Sequence, residues 1–148
     1  MRGAPWVQVT PSEAAAHPKG RPGLVLWLVA GWFAATGAFE VVLAIWAGAS
    51  IWWAFFGGLA LVAALGLAIG APWSLVLAVL LAARQVIGLA RDVKLVGSIA
   101  VTDQLLPLLV LGQAVVAAGV VFYLLEGDRP NLIFRHRYRA YSEADHDA

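Results

Sequence analysis

Between Gly23 and Ala83 the chain carries one formal charge, that of Glu40. A water-soluble surface needs polar cover, and charged residues normally make up about a quarter of a globular sequence. Here 13% of the 148 residues are charged, whereas 61% are hydrophobic. A stretch of this length without further charge must meet lipid, so the sequence predicts an integral membrane protein.

Four apolar segments are long enough to cross a bilayer, for which a helix needs about 20 residues. None shows the alternation of a membrane-spanning strand, and turns with Gly, Pro or charged residues separate them. The predicted spans are 24–46, 51–69, 73–90 and 104–125. Because short connections make successive helices antiparallel neighbours, we predict an all-α fold, an up-down-up-down bundle of four transmembrane helices.

Two polar segments flank this transmembrane domain, which we place at 23–126. The N-terminal arm, 1–22, is rich in Pro and is expected to be irregular. The C-terminal tail, 127–148, is basic and aromatic at first and then acidic. The two flanks hold seven Lys and Arg, against Arg91 and Lys94 in the single charged loop. The positive-inside rule therefore places both termini on the cytoplasmic side, and we expect a multi-pass protein of a bacterial plasma membrane.

Polar residues inside the predicted spans are few, so each is a candidate for function. Glu40 lies in the first helix and Arg84 in the third, at depths that differ by less than two helical turns. Asp103 and Gln104 open the fourth helix from the same side, although Asp103 is also placed to cap that helix. We predict a polar cluster of these four residues in the outer half of the bundle.

Glu40 and Arg84 are the expected ion pair of this cluster. A lone charge deep in a spanning helix costs roughly 2.5–3.5 kcal/mol, so mutual neutralisation is favoured. Three interpretations stay open: a clamp that fixes the order of the helices, a proton or substrate site, and two side chains that face different neighbours or another subunit.

An acidic residue in the first of four short helices resembles the plan of the small multidrug-resistance transporters. In that family, a first-helix Glu exchanges protons for cationic drugs. The resemblance rests on Glu40 and the helix count. An adjacent Arg84 would repel cations, so we do not assign the chain to the family.

The predicted spans lack the His, Met and Cys side chains that haem ligation, many metal sites and many catalytic mechanisms require. The sequence has no Cys, and His17, His136 and His146 all lie in the predicted flanks. No spanning segment therefore offers a His, Met or Cys to ligate haem, and no catalytic or phosphate-binding motif is present. We predict no enzyme activity, no catalytic residues, no metal and no resident cofactor, with bound lipid or quinone as open alternatives.

The C-terminal tail interleaves aromatic residues with Arg. As a helix it would align Phe134, Tyr138 and Tyr141, and as a strand it would align Arg135, Arg137 and Arg139. Either form would let the segment lie along lipid headgroups or dock onto a partner subunit. Nucleic acid is not predicted, because the basic patch is short. The candidate docking residues are Arg129, Phe134, Arg135, Arg137, Tyr138 and Arg139.

These observations favour a small accessory or scaffold subunit that binds, stabilises or helps to assemble a larger membrane complex. Its expected partners are the lipid bilayer and other membrane subunits. One alternative is a small proton-coupled transporter that uses Glu40. The other is a quinone-associated membrane subunit of an oxidoreductase.

Overall fold

The computed structural model describes residues 6–48, 50–99 and 105–139, with side chains omitted at 89–99, 105–107, 109 and 110. The described chain is mostly helical. Its four long helices are α2 (Leu24–Trp46), α3 (Ile51–Ala68), α4 (Pro72–Ile99) and α5 (Leu105–Glu126). The shorter elements are β1 (Trp6–Gln8), α1 (Pro11–Ala16), a 3-10 turn (Pro18–Gly20), α6 (Asp128–Arg135) and β2 (Arg137–Arg139).

The expectation of membrane-spanning helices is confirmed in its coarser form. Among the described residues, Pro18–Trp46 and Ile51–Ala68 are each long and apolar enough to cross a membrane. A third span results if Leu111–Glu126 is counted together with Asp128–Arg135, which follows it at an angle of 58°. The apolar part of α4, Pro72–Gly88, is shorter.

The predicted loop at 91–94 is wrong, because α4 continues through it to Ile99. Arg and Lys are good helix formers, and no Pro follows until Pro107, so local sequence gives the helix no reason to stop there. Residues 91–94 thus extend α4 beyond its apolar part and do not form a connection between two helices.

The two described turns between α2, α3 and α4 are built by specific residues. Ser50 caps α3, since its hydroxyl accepts the Trp52 N–H at 3.5 Å. Gly70 has φ +73°, a left-handed conformation that favours glycine after a helix. Pro72 then begins α4, where a missing N–H costs little. These turns return the chain sharply, so α2, α3 and α4 are successive antiparallel neighbours.

The long helices pack in chain order: α2 on α3, α3 on α4, and α4 on α5. At the α2–α3 contact, a Cβ added to Gly37 would lie 2.7 Å from the Gly57 carbonyl oxygen, and the converse distance is also 2.7 Å. Small residues therefore let the two backbones touch, as they do in membrane helix pairs. Within the described residues, α2 and α5 make no extensive contact, so the helices form an open arrangement.

The apolar core lies toward the end of the helices that carries the two termini. Leu26 and Phe33 of α2, Leu67 of α3 and Leu124 of α5 are almost fully buried there. Alanines that lie four residues apart on α3 and on α4 face the close helix contacts. Ala60 and Ala64, and Ala78 and Ala82, are all buried.

The described part of the N-terminal arm, residues 6–22, contains regular structure, which corrects the expectation that it is irregular. Thr10 and Glu13 form a reciprocal capping box at the start of α1. The Thr10 backbone N–H and hydroxyl lower the pKa of Glu13 by bonding its carboxylate. β1 pairs antiparallel with β2 of the tail, with Val7 opposite Tyr138. Contacts with residues distant in sequence therefore order a segment whose local composition predicts no regular secondary structure.

The described part of the tail, 127–139, is a helix followed by a strand, so neither single-element interpretation holds for it. His136 has φ 49°, which ends α6 in a left-handed residue. The chain then turns into β2, and Phe134 and Tyr138 no longer share a helical stripe. Arg135 belongs to α6, whereas Arg137 and Arg139 lie in β2. Tyr141 lies outside the described residues.

Arm and tail together form a small unit that we call the terminal cap, residues 6–21 and 127–139. It lies at the end of the helices where α3 turns into α4. A Cβ added to Gly70 of that turn would be 3.7 Å from the Ile133 side chain. Both described termini thus lie at one end of the helices.

Candidate functional site: a polar layer across the long helices

Glu40 of α2 and Arg84 of α4 form an ion pair across α3. The Arg84 Nη1 lies 3.6 Å from the Glu40 Oε1, and the guanidinium carbon lies 3.9 Å from the centre of the Phe56 ring on α3. The Glu40 side chain is 13% exposed and that of Arg84 is 40% exposed. One guanidinium thereby links three helices through a charge pair and a cation–π contact.

Glycine positions the acid of this pair. A Cβ added to Gly57 would come within 3.0 Å of the Glu40 Cβ and 2.9 Å of the Val41 Cγ2. Only a residue without a side chain allows α2 to approach α3 this closely. Gly57 therefore determines the position of the Glu40 side chain relative to α3. The seam between α2 and α3 is therefore part of the site.

Gln85 extends the polar contacts to α5. The Gln113 Nε2 donates to the Gln85 Oε1 at 3.2 Å. Adjacent residues leave a helix about 100° apart, so Arg84 reaches toward α2 and α3 while Gln85 reaches toward α5. We call Glu40, Arg84, Gln85 and Gln113 the polar layer. Its two contacts link α2, α4 and α5, and the Arg84–Phe56 cation–π contact adds α3.

The members of the polar layer share a depth. Each lies about 12–16 residues from the helix end beside the terminal cap, which is roughly 18–24 Å at 1.5 Å per residue. The hydrocarbon core of a bilayer is about 30 Å thick. If the helices cross it, these polar groups lie near its centre or just beyond, where a polar group needs a protein partner.

Electrostatics make the ion pair a strong contact at this depth. At 3.6 Å, the attraction is roughly 4–5 kcal/mol for an effective dielectric constant of about 20. Thr36, one turn before Glu40, is satisfied by its own helix, because its hydroxyl donates to the Trp32 carbonyl at 2.9 Å. The described residues contain no group of three His, Asp or Glu able to hold a metal ion.

Asp103 and Gln104, the other predicted members of the cluster, lie outside the described residues. Phe56 and Gln85 were not among the predicted site residues. The depth of Phe56 matches that of Arg84, but an aromatic residue in an apolar helix carries no signal that separates a cation–π partner from ordinary packing. Gln85 follows Arg84 directly, and its polarity inside an apolar run was the available signal.

The tail residues predicted for docking are largely engaged within the chain. Phe134 is 5% exposed and packs in the core, so little of its side chain is accessible in this structure. Arg129 donates to the Arg21 carbonyl at 3.0 Å, and Tyr138 stacks on His17. These contacts form because the arm covers the tail.

Asn131 organises the described part of the tail, although it was not among the predicted site residues. It is fully buried, and its Nδ2 donates at 2.9 Å to the carbonyls of both Leu125 and Gly127. Its Oδ1 accepts from Arg137 at 2.9 Å and from Arg135 at 3.2 Å. The amide thus holds the bend between α5 and α6 and turns two guanidinium groups toward each other.

Trp6 of the arm makes cation–π contacts with two cations of β2. The guanidinium carbons of Arg137 and Arg139 are 4.6 and 4.8 Å from its ring centre. Arg139 also pairs with Glu126 at the end of α5, and Lys19 pairs with Asp128 at 3.3 Å. The cap is therefore a dense layer of basic groups, fixed by aromatic and carboxylate partners.

A groove of about 850 Å³ runs along the outside of the α4–α5 pair. Its body is lined by apolar side chains of both helices. Its polar groups, Tyr123, Glu126 and Arg139, lie at the end beside the terminal cap. The groove is open toward the side, because Ile87 and Phe122 on its rims are largely exposed.

Comparison with protein-family models, with curated proteins and with solved structures finds no match to this chain.

Proposed function

We propose that the chain is a four-span protein of a bacterial plasma membrane. In this proposal it acts as an accessory subunit that binds the side of a larger membrane complex through its outer helices, α2 and α5. The observation that carries the proposal is the small, open surface on each of these helices. The polar layer would hold the four helices in register so that both surfaces are presented.

The topology belongs to the same proposal. α4 and α5 would cross the membrane along with α2 and α3, as an up-down-up-down bundle. The terminal cap, which carries most of the described cations, would lie at the cytoplasmic surface. The polar layer would then lie at or just beyond the middle of the bilayer.

The small surface of α2 consists of Gly31, Ala35 and Ala38. All three are exposed, and their spacing of four and three residues puts them on one helix face. A Cβ added to Gly31 would meet nothing within 4 Å. Glycine inside a helix costs about 1 kcal/mol relative to alanine, and packing within this chain does not offset that cost.

α5 presents a comparable surface with Gly112 and Gly119, where an added Cβ again meets nothing within 4 Å. Val116 lies between them on the same face and is half-exposed. By contrast, Gly37 and Gly57 are filled by the α2–α3 contact. Some glycines therefore lie in helix contacts within the chain, whereas others face outward. Outward-facing glycines would allow a helix of another subunit to approach closely.

The ion pair supports a scaffold more than a carrier. Arg84 occupies the position that a transported cation or proton would need beside Glu40, and it contributes to the contacts among α2, α3 and α4. A paired, largely buried carboxylate favours one helix order, because an arrangement that separates the two partners leaves a buried charge unpaired. A subunit that must hold its two outer helices, α2 and α5, in fixed positions benefits from such an ion pair.

The test compares bulky substitutions on the open and control surfaces. Membranes of the native host are extracted in a mild detergent, and the mass of the particle that contains the chain is measured. We expect wild type in a particle with at least one further membrane protein in fixed stoichiometry. Gly31→Leu combined with Gly119→Leu should release the chain, with its helicity and thermal unfolding unchanged.

Gly58→Leu is the matched control, because a Cβ added to Gly58 also meets nothing within 4 Å, but Gly58 belongs to α3, which packs against both α2 and α4. It should leave the particle intact. A wild-type chain that is always alone, or a particle that tolerates both leucines on α2 and α5, would overturn the proposal.

A second candidate is a small proton-coupled transporter, which the depth and burial of Glu40 favour. Glu40→Gln separates the two functions. A carrier loses pH-driven flux in liposomes while it stays folded and assembled. An accessory subunit instead loses stability of its helix packing, and with it the binding of its partner.

A further inference from the structure

The groove between α4 and α5 differs in kind from the polar layer and from the glycine surfaces. Its walls carry small or branched apolar residues from the two helices, with a single large ring at one rim. They are Ala83, Val86 and Ile87 of α4, and Ala118, Val121 and Phe122 of α5. Gly112 and Gly119 do not line it. The groove is thus a separate surface of α5.

Polar groups occur at one end of the groove only. Tyr123, Glu126, Gly127 and Arg139 surround that end, where α5 meets the terminal cap. Arg139 pairs with Glu126, but a guanidinium has five N–H donors, so one carboxylate does not use them all. The groove therefore has an apolar body and a hydrogen-bonding mouth that retains donor capacity.

The length of the groove matches one leaflet. Along α5 it extends from Gly127 to Ala118, about nine residues or roughly 13 Å. Half of a hydrocarbon core of about 30 Å is close to the same length. A chain that enters at the mouth would thus reach about the middle of the bilayer.

The cap around the mouth is basic. Its described residues contain six cations, Lys19, Arg21, Arg129, Arg135, Arg137 and Arg139, against two carboxylates, Glu13 and Asp128. When Glu126 at the end of α5 is counted as well, three positive charges remain. Arg137 and Arg139 both contact the Trp6 ring, so two of the cations are fixed near each other. Basic groups at the surface of a membrane attract anionic headgroups.

We infer that the groove is a binding site for a phospholipid whose headgroup carries a net negative charge. One acyl chain lies along the apolar walls, and Arg139 binds the phosphate at the mouth. Apolar walls alone give no preference, because the surrounding lipid is equally apolar. Selectivity therefore comes from the headgroup, through a charge-assisted hydrogen bond from a guanidinium that is already held in place.

The experiment uses the full chain, purified in a neutral detergent and stripped of lipid. Native mass spectrometry measures its binding of phosphatidylglycerol, phosphatidylethanolamine and phosphatidylcholine with identical acyl chains. We expect phosphatidylglycerol to bind roughly tenfold more tightly than phosphatidylcholine. Equal affinities, or a preference for phosphatidylethanolamine, would overturn the inference, since the latter would assign the mouth to a zwitterionic headgroup.

Two variants address the two ends of the site. Arg139→Gln should remove the preference for phosphatidylglycerol, whereas Arg21→Gln, with the same change of charge outside the groove lining, should keep it. Ala118→Trp fills the body from an exposed position, so the chain should fold normally and lose tight binding of every phospholipid. Wild-type binding by both Arg139→Gln and Ala118→Trp would refute the site.

A photo-crosslinking residue at Phe122, in native membranes, distinguishes lipid from a partner helix. Crosslinks to phospholipid are the expected result. Crosslinks in high yield to a polypeptide would show that a protein occupies the groove, and would also overturn the inference.

Discussion

Breaking the Glu40–Arg84 pair tests whether the polar layer holds the helices together. Glu40→Gln leaves a guanidinium without its carboxylate, and Arg84→Met leaves a carboxylate without its guanidinium. Unpaired charge at this depth costs roughly 2.5–3.5 kcal/mol on insertion scales. Because the Arg84 side chain is 40% exposed and can adjust its position, we expect each single variant to lose about 2–3 kcal/mol of unfolding free energy.

The double variant Glu40→Gln with Arg84→Met removes both charges at once. No charge then remains unpaired, so the loss should be about 2 kcal/mol rather than the sum of about 5 kcal/mol. The cycle therefore predicts a coupling energy of about 3 kcal/mol, at the upper end of values for directly contacting residues. The assay is reversible unfolding in bicelles, followed by circular dichroism.

Lys19 and Asp128 provide the matched control, because they pair at 3.3 Å on the solvent side of the terminal cap. Lys19→Gln, Asp128→Asn and their combination should show a coupling energy below about 1 kcal/mol. If the Glu40–Arg84 coupling is no larger than this, the two charges do not stabilise each other, and the polar layer does not fix the order of the helices.

Three further outcomes follow from particular contacts. Gly57→Ala places a Cβ 2.7 Å from the Gly37 carbonyl oxygen and should destabilise the chain by about 1–3 kcal/mol, whereas Gly58→Ala, in open space, should raise thermal stability slightly. Asn131→Ala removes the side-chain donor from the partly buried carbonyls of Leu125 and Gly127 and the acceptor that Arg135 and Arg137 share. It should lower the unfolding free energy by about 2 kcal/mol, with loss of amide protection in α6. Since the pKa of Glu13 is lowered in the folded chain, the capping box should stabilise α1 above pH 4.5 and lose that effect as the pH falls through the lowered value, which hydrogen exchange of the α1 amides at several pH values would show.

The ends of α2 and α3 were predicted closely because lipid allows few alternatives. In a bilayer, an apolar run of spanning length must satisfy its backbone internally, so composition alone indicates a helix. Depth along such helices follows from counting residues. The closeness of Glu40 and Arg84 was therefore predictable to within the reach of an Arg side chain, although the intervening Phe56 was not.

The terminal cap could not be predicted, because its contacts join residues far apart in sequence. Lys19 and Asp128 are 109 positions apart, and β1 finds its partner in β2 across the whole described chain. No periodicity within either flank encodes such a pairing. Asn131 illustrates the difficulty, since a lone Asn in a polar tail ordinarily indicates a turn on the surface rather than a fully buried hub.

The central claim is that these helices cross a bilayer with the terminal cap on the cytoplasmic side. The absence of native Cys makes it directly measurable with single-cysteine variants and a membrane-impermeant maleimide on intact cells. Ala47→Cys, in the turn between α2 and α3, should react from outside, Ala71→Cys should react only in inverted vesicles, and Leu61→Cys, within α3, should react from neither side. Reaction of Ala47→Cys and Ala71→Cys from the same side, or ready reaction of Leu61→Cys with the aqueous reagent, would contradict the account.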